Sequence, residues 1–252
     1  MIFLSSRTTY YQYYQQGLAM QKEVIKDWAI PIVLLLILTI LFRVFPWDLQ
    51  LQAIFYSTET GWFAKELSFW TNLYKYGYIP AFVMSSISAL ALIAGFLNLR
   101  LKKLRKIALL ILLTMAIGPG LFVNLIFKDN WGRTRPRDIV EFGGTMPYYG
   151  ALEPSSDKGK SFPSGHASVA FFIFIPYFFL RKTNQKIALI FLLLGLSYGT
   201  LAGVGRMAQG GHFASDVIWS CGMVYLCGLG IYYLLRMDKN IYWTSVKNES
   251  TD

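Results

Sequence analysis

Apolar residues along this chain are gathered into long runs and are not spread at the spacing of a surface helix. Six runs stand out, at approximately 28–45, 77–97, 107–127, 167–180, 187–204 and 217–235. A helix needs about 20 apolar residues to cross a bilayer, and helices satisfy their own backbone groups in lipid. The pattern therefore predicts an all-α fold, a polytopic membrane bundle of six transmembrane helices.

Composition supports the same class of protein. Of the 252 residues, 54% are hydrophobic and only 15% are charged, whereas soluble domains carry about 25% charged residues. We expect one domain over residues 28–235, with tails at 1–27 and 236–252. The first 27 residues lack the layout of a cleaved signal peptide, and Met20 is a candidate alternative start of translation.

The net charge of +10 is concentrated in short connectors and tails. The connectors 98–106 and 181–186 are the most basic, and both tails add Lys or Arg. Positive residues in short loops mark the cytoplasmic side, so both termini are expected in the cytoplasm. Anionic lipid headgroups explain these charges better than nucleic acid does. The lack of a signal peptide and of glycan-ready outer loops fits a bacterium, in which we expect a protein of the inner membrane.

Two outer connectors complete the predicted topology. Residues 46–76 are rich in aromatic residues, which indicates an interfacial membrane belt more than a substrate box. Residues 137–162 contain Gly143-Gly144 and two prolines and are expected to form an irregular loop over a site. The connectors after the third and fifth runs emerge on the same face, opposite the basic connectors, so a site shared between them would face the periplasm.

The only two histidines, His166 and His212, stand in short segments rich in Gly, hydroxyl or basic residues. Neutral imidazole serves as nucleophile and proton carrier near pH 7. A phosphate monoester also requires cationic donors on its non-bridging oxygens. Three basic residues nearby are candidates for that role: Lys128, Arg135 and Arg206. This combination indicates phosphoryl transfer.

Ser164 and Gly165 immediately precede His166 and the fourth apolar run. A hydroxyl and free backbone N–H groups at a helix N-terminus make an anion cradle, and glycine lets a phosphate approach the main chain. We expect Ser164 and Gly165 to bind phosphate and His166 to donate a proton at the rim. The alternative for Ser164 is a plain helix N-cap.

His212 and Asp216 are four residues apart, so they share one face if the segment is helical. Asp216 could then hydrogen-bond one imidazole nitrogen and leave the other free to attack phosphorus. Asp216 could also cap the sixth helix, and both roles could hold at once.

Taken in order, the three motifs resemble those of type 2 phosphatidic acid phosphatases, whose pattern is K-x6-RP, then PSGH, then SR-x5-H-x3-D. Gly205 stands where that family usually has Ser, so one minor hydroxyl contact is missing here. The resemblance covers roughly the second to the sixth span. The matching positions are Lys128 to Pro136, Pro163 to His166, and Arg206, His212 and Asp216.

This resemblance implies a role for each matching residue. His212 would be the nucleophile that forms a phosphohistidine, Asp216 would orient it, and His166 would be the general acid for the leaving group. The remaining members would bind the phosphate: Lys128, Arg135, Ser164, Gly165 and Arg206.

The stretch from Trp131 to Gly144 is further similar to the first motif region of bacterial lipid A phosphatases. Arg133 and Arg137 add positive charge there. They are candidate contacts to a second phosphate of a bis-phosphorylated glycolipid or a diphosphate, with interfacial anchoring as the alternative for each. Lipid A is the favoured substrate. Undecaprenyl diphosphate and phosphatidylglycerol phosphate are the other candidates.

The sequence suggests no cofactor and no metal site, because its outer carboxylates do not form a ligand set. Cys221 and Cys227 are six residues apart in one apolar run and are expected to be packing residues. The expected partners are a membrane lipid substrate and the bilayer, and the oligomeric state is not predicted. A lipid phosphotransferase and a non-catalytic lipid-binding or transport protein are the alternative functions.

Overall fold

A computed structural model describes residues 2–239, with side chains from residue 17 onward. The described residues are helical with only isolated β-bridges between loops, so the all-α prediction is confirmed. The principal helices are α1 (Ile2–Val44), α2 (Trp47–Ala53), α3 (Ser68–Tyr76), α4 (Ile79–Leu97), α5 (Leu104–Met115), α6 (Lys128–Asn130), α7 (Gly165–Phe171), α8 (Pro176–Leu180), α9 (Gln185–Ala208) and α10 (Ala214–Leu234).

Within the described residues, five helical stretches are long and apolar enough to cross a membrane. They are Gly17–Val44, Ser68–Leu97, Leu104–Asn130, Gln185–Ala208 and Ala214–Leu234. Large apolar side chains on their outer faces are exposed, such as Ile30 on α1 and Leu90 on α4. Such an extended apolar surface is suited to lipid and not to water. The protein is therefore a multi-helix membrane protein.

The fourth predicted run differs from the other five. It forms Gly165–Leu180, shorter than the rest, and a 3-10 turn at Phe172–Phe174 separates α7 from α8. At about 1.5 Å per residue it falls short of a hydrocarbon core of roughly 30 Å. Its side chains Phe171, Phe174 and Phe178 are buried, because the other helices surround it.

Glycines on α9 bring that helix close to the central segment. A Cβ at Gly195 would lie 2.3 Å from the backbone of Phe174, and one at Gly199 would lie 2.1 Å from the ring of Phe171. Small residues allow such close contact between membrane helices. This packing fixes α7, which carries His166, against α9.

The basic connectors lie at one end of the bundle, as is expected if they lie on one side of the membrane. Arg181 forms an ion pair with Asp27 at 2.5 Å, and the Lys106 ammonium donates to the backbone oxygen of Leu235. The helix α1 begins well before the predicted run at residue 28. The part of the C-terminal tail beyond residue 239 lies outside the described residues.

A π-helix at Ala116–Phe127 joins α5 to α6. Pro119 lies inside it, and this residue cannot donate the hydrogen bond that regular α-helix needs. The Asn124 side chain donates to the Pro119 carbonyl oxygen at 2.7 Å. Irregular helical turns of this kind are frequent at functional sites, and this one ends directly at Lys128.

The connector 46–76 does not form a simple interfacial belt. Within α2, Asp48 and Gln52 are fully buried, and the Gln52 amide donates to the backbone oxygen of Met207. In α3, Trp70 and Tyr74 line a cavity. The expectation of a membrane belt more than a substrate box is therefore wrong for Trp70 and Tyr74, because α2 packs against α10 and α3 packs against α9.

Candidate active site

A cavity of about 320 Å³ opens between α3, α4, α7, α9 and the end of the π-helix. It is lined by aromatic residues, among them Trp70, Tyr78 and Phe82, and by cations. Four of the residues predicted to act on phosphate line it: Lys128, Gly165, His166 and Arg206. The structure therefore brings the three motifs together at one end of the bundle.

The cations of the site approach the backbone closely at two glycines. A Cβ at Gly165 would lie 3.2 Å from the Lys128 ammonium and 2.5 Å from the Asn124 amide oxygen. A Cβ at Gly211 would lie 2.4 Å from Nη2 of Arg206. Both glycines thus leave room for a cation beside the main chain, and Asn124 is a neighbour of the site that the motifs did not indicate.

Several buried donors of the site have no hydrogen-bond partner within the described protein. They are Nε of Arg135, Nε of Arg206 and the Ser164 hydroxyl. Buried polar groups are normally paired, so such a group of donors suits an anion. Burial lowers the pKa of Arg135, with the nearby Arg137 acting in the same direction, and an anionic ligand would reverse that effect.

The Ser164 side chain does not act as a helix cap. Ser164 occupies the N-cap position of α7, but its side chain makes no capping hydrogen bond. Its backbone is held instead, because the Ser220 hydroxyl donates to its carbonyl oxygen at 2.9 Å. The hydroxyl is buried and unpartnered, so the plain N-cap alternative is contradicted.

His212 lies just before α10 and is 2% exposed. Its Nδ1 atom hydrogen-bonds the backbone carbonyl oxygen of Ser161. A carbonyl can only accept, so Nδ1 carries the proton and the neutral ring keeps its lone pair on Nε2. This tautomer is the one that a nucleophilic Nε2 requires.

Asp216 does not make the hydrogen bond to His212 that the four-residue spacing predicts. The separation between Nδ1 of His212 and Oδ2 of Asp216 is 3.8 Å, which is a charge interaction and too long for a hydrogen bond. Asp216 caps α10 by accepting from the backbone N–H of Phe213 at 2.8 Å. It also accepts from the Ser161 hydroxyl at 2.6 Å.

The charge state of His212 follows from this environment. Burial lowers its pKa to about 4, although the nearby Asp216 acts in the opposite direction. The imidazole is therefore neutral near pH 7, as a nucleophile must be.

Tyr74 belongs to none of the three motifs, yet it contacts several residues of the site. Its ring stacks on the ring of His166, with centroids 4.4 Å apart, and the Arg206 guanidinium lies 4.6 Å from its centroid. Tyr74 also interacts electrostatically with Arg135. An aromatic residue in a predicted surface connector carries no local signal of this role.

The prediction that Arg133 contacts a second phosphate is wrong. Its side chain is fully buried and forms ion pairs with Asp48 at 2.8 Å and Asp216 at 2.5 Å. It also donates to the Ser215 hydroxyl and to the backbone oxygen of Tyr149. These contacts hold the guanidinium inside the protein, where it is not accessible to a second phosphate.

Arg137 remains accessible. Its side chain is 38% exposed and lies 3.7 Å from the Asp138 carboxylate. Its backbone N–H donates to the carbonyl oxygen of Gly210, which places it beside the segment that leads to His212. It also interacts electrostatically with Arg135 and Arg206.

Gly205, the one departure from the family motif, packs against Trp70. A Cβ at this position would lie 2.9 Å from Cε3 of Trp70 and 3.4 Å from its Cζ3. The glycine thus lets the indole cover the end of α9 beside Arg206.

Comparisons with known proteins identify the family of this chain. The family model described as PAP2 superfamily matches residues 107–240. A lipid A 4'-phosphatase of Francisella tularensis subsp. novicida is 33% identical over 208 residues, which cover 81% of this chain and 92% of that protein.

Two further relatives match over a shorter stretch. A lipid A 4'-phosphatase of Rhizobium leguminosarum is 34% identical over 46% of this chain and 50% of its own length. One of Rhizobium etli is 34% identical over 46% of this chain and 45% of its own length. No solved structure matches the chain significantly. The family match extends over more than half of the sequence, so the chain belongs to the PAP2 superfamily and is a membrane phosphatase.

Proposed function

We propose that this protein removes a phosphate, the 4'-phosphate, from lipid A at the periplasmic face of the bacterial inner membrane. The names and similarity of three relatives support lipid A as the substrate class. The cavity combines an apolar aromatic wall with cations, which suits a lipid whose phosphorylated headgroup lies at the interface. Basic connectors gathered at the opposite end of the bundle support cytoplasmic termini.

Six spans are part of this proposal. The segment Gly165–Leu180 is too short to face lipid along its whole length, but it is enclosed by longer helices. A buried helix need not match the hydrocarbon thickness, since its ends lie within protein. Ser164 at one end borders the site, and Arg181 at the other end pairs with Asp27.

Phosphate binding is assigned to the unpartnered donors and the cations. Lys128 and Arg206 line the cavity, and Arg135 and Ser164 each leave a buried donor without a protein partner. Arg suits bidentate contact with phosphate oxygens and Lys supplies a point charge. These cations stabilise the charge on the transferring phosphoryl group, so we propose catalysis without a metal ion.

The transfer itself is assigned to the two histidines. Nε2 of His212 attacks phosphorus, the bond between phosphorus and the sugar oxygen breaks, and protonated His166 gives its proton to that oxygen. Water then attacks the phosphohistidine and its proton passes to His166. Inorganic phosphate leaves and His212 returns to its neutral form.

One observation carries this proposal most directly. The Nδ1 atom of His212 is hydrogen-bonded to a carbonyl oxygen that can only accept, so the nucleophilic lone pair is held on Nε2. A histidine retained only for packing would not need this tautomer. Arg137 is proposed to contact a second phosphate of the same lipid, because it is the accessible cation nearest in sequence to Arg135.

The test is phosphate release by the purified protein in detergent, with EDTA present. The substrates are lipid A, undecaprenyl diphosphate, phosphatidylglycerol phosphate and phosphatidic acid, and the control is His212→Ala. We expect release from lipid A alone or at the highest rate, with loss of the 4'-phosphate and no activity in the variant.

Other outcomes change the proposal in defined ways. Preferred release from another lipid would overturn the substrate, and inhibition by EDTA would overturn metal-independent catalysis. Release that requires an added acceptor lipid would identify a phosphotransferase. Unchanged release by His212→Ala would overturn the assigned nucleophile.

A further inference from the structure

A second charged cluster approaches His212 through Asp216, and its members are not among the residues that line the cavity. Its members are Asp48 from α2, Arg133 from the loop after α6, and Ser215 and Asp216 from α10. The side chains of Asp48, Arg133 and Asp216 are fully buried. The cluster therefore joins three distant parts of the chain inside the protein.

The hydrogen bonds within this cluster are nearly complete. Arg133 donates through Nη2 to Asp48 and through Nη1 to both Ser215 and Asp216, over 2.5–2.8 Å. Asp48 also accepts from the backbone N–H of Ser215 at 2.9 Å and from its hydroxyl at 2.5 Å. The Phe213 ring lies against the guanidinium, 4.4 Å from its centroid.

The charges of the cluster do not cancel. Two carboxylates and one guanidinium leave one net negative charge, and Asp216 presents it 3.8 Å from Nδ1 of His212. The other charged groups that act on His212 are Arg206 and Lys128, with His166 as a titratable neighbour. These groups are cations or become cationic, so Asp216 and Asp48 supply the opposing charge.

We propose that Asp48 and Arg133 are positioning residues of the phosphatase, which hold Asp216 in place and set the negative charge behind His212. That charge stabilises the imidazole ring when Nε2 bonds to phosphorus while Nδ1 keeps its proton. This inference deepens the proposed function and rests on His212 as the nucleophile.

The test exploits the different charge that each variant leaves in the cluster. Asp48→Asn leaves no net charge, and Arg133→Gln leaves a charge of about −2 if both carboxylates stay ionised. The double variant restores the original net charge. We expect Arg133→Gln to raise the pKa of His212 by about one or more pH units, Asp48→Asn to lower it, and the double variant to return it close to the wild-type value.

The readout is the NMR titration of the His212 ring in the full-length protein in detergent, in a His166→Gln background that leaves a single histidine signal. Lys160→Gln is the matched control, because it removes a cation that is 53% exposed on the same outer loop. This control is expected to move the titration far less than Arg133→Gln does.

A merely structural role predicts a different pattern. Both single variants would then shift the titration in the same direction or leave it unmoved, and either result would overturn the proposal. If the single variants do not fold, Arg133→Lys keeps the charge but loses the forked geometry. It is expected to titrate close to the wild type while kcat falls at least tenfold and KM stays constant; an unchanged kcat would overturn the positioning role.

The role of Asp48 and Arg133 and the proposed function can be refuted independently. The titration needs no substrate, so it can refute the role of Asp48 and Arg133 in an active enzyme. Conversely, absence of phosphatase activity in the wild type would remove the proposed function while the opposite shifts could still be observed.

Discussion

Arg133 and Arg135 stand two residues apart in the same motif, yet the structure gives them opposite environments. Arg133 is fully buried and paired with two carboxylates. Arg135 is only partly buried and keeps its Nε atom without a partner in the described protein. Both are arginines in a basic stretch near a phosphate site, so residue type alone does not separate them.

The difference distinguishes an arginine that stabilises the fold from one that is available to bind phosphate. An arginine that is fully buried and paired with buried acceptors anchors the surrounding segments and is not accessible to a ligand. An arginine with a free donor beside a cationic cavity is available to an anion. Substitutions at these arginines and at their neighbours separate the two conditions, with effects that decrease from Arg133 onward.

Replacing Arg133 is expected to have the largest effect, on stability. Arg133→Ala would leave Asp48 and Asp216 buried without their partner, which costs about 3–5 kcal/mol in the free energy of unfolding. Thermal unfolding in detergent measures this, with Lys160→Ala as an exposed control. A variant as stable as the wild type would show that the pairs contribute little.

Replacing Arg135 is expected to affect catalysis and not stability. Arg135→Ala removes a donor to the phosphoryl group, and loss of one such donor typically lowers the rate roughly 100- to 1000-fold. Phosphate release and thermal unfolding should be measured on the same preparation. A variant that loses stability as Arg133→Ala does, with normal kcat, would reverse the assignment of the two arginines.

Tyr74 is expected to have an intermediate effect, since it touches His166 and Arg206 through its ring. Tyr74→Leu would remove the stacking and cation–π contacts, which together contribute about 1–3 kcal/mol, so kcat/KM should fall about tenfold or more. Tyr74→Phe keeps the ring and should retain most activity. Equal activity of the Leu and Phe variants would exclude the ring as the cause.

Gly205→Ser tests the departure from the family motif. The added side chain would meet Trp70. Such crowding costs about 1–3 kcal/mol, and the cost is near the lower value when the ring can shift to make room. We expect a several-fold rise in KM for lipid A, relieved when Trp70→Leu is added. A serine variant with a lower KM than the wild type would indicate that the hydroxyl contact outweighs the packing with Trp70.

The last prediction concerns the pH dependence of stability, which has little effect near pH 7. Burial lowers the pKa of His212 from its usual 6.5 to about 4. As pH falls through 6.5 the unfolded chain takes up a proton and the folded protein does not, so the native state loses stability between pH 6.5 and about 4. His212→Gln should remove this part of the dependence, measured as the melting temperature across that range. An identical slope in both proteins would contradict a neutral buried His212.

The sequence predicted the fold class because long apolar runs have a direct physical meaning in a bilayer. It did not predict that Gly165–Leu180 is a short enclosed segment, because composition does not distinguish lipid from protein as the apolar neighbour. It did not indicate that α1 begins well before the apolar run at residue 28, since polar residues can continue a helix beyond the membrane.

The site was predictable where local motifs carry the chemistry, as for Lys128, His166 and Arg206, which meet at one cavity. It was not predictable where the partner is distant or lies on the backbone. Arg133 meets Asp48 across 85 positions, and His212 is held by a carbonyl of Ser161 that leaves no signature in residue type. Tyr74 likewise joins the site only through tertiary packing.

The central claim is that His212 accepts the phosphoryl group. Its most direct test is rapid denaturation of the enzyme during turnover of lipid A labelled with radioactive phosphorus at the 4'-phosphate, followed by mapping of the labelled residue. We expect acid-labile, alkali-stable label on Nε2 of His212, absent from His212→Gln and accumulated in His166→Gln when hydrolysis is slowed. Label on another residue, or phosphate release at the full rate from His212→Gln, would contradict it.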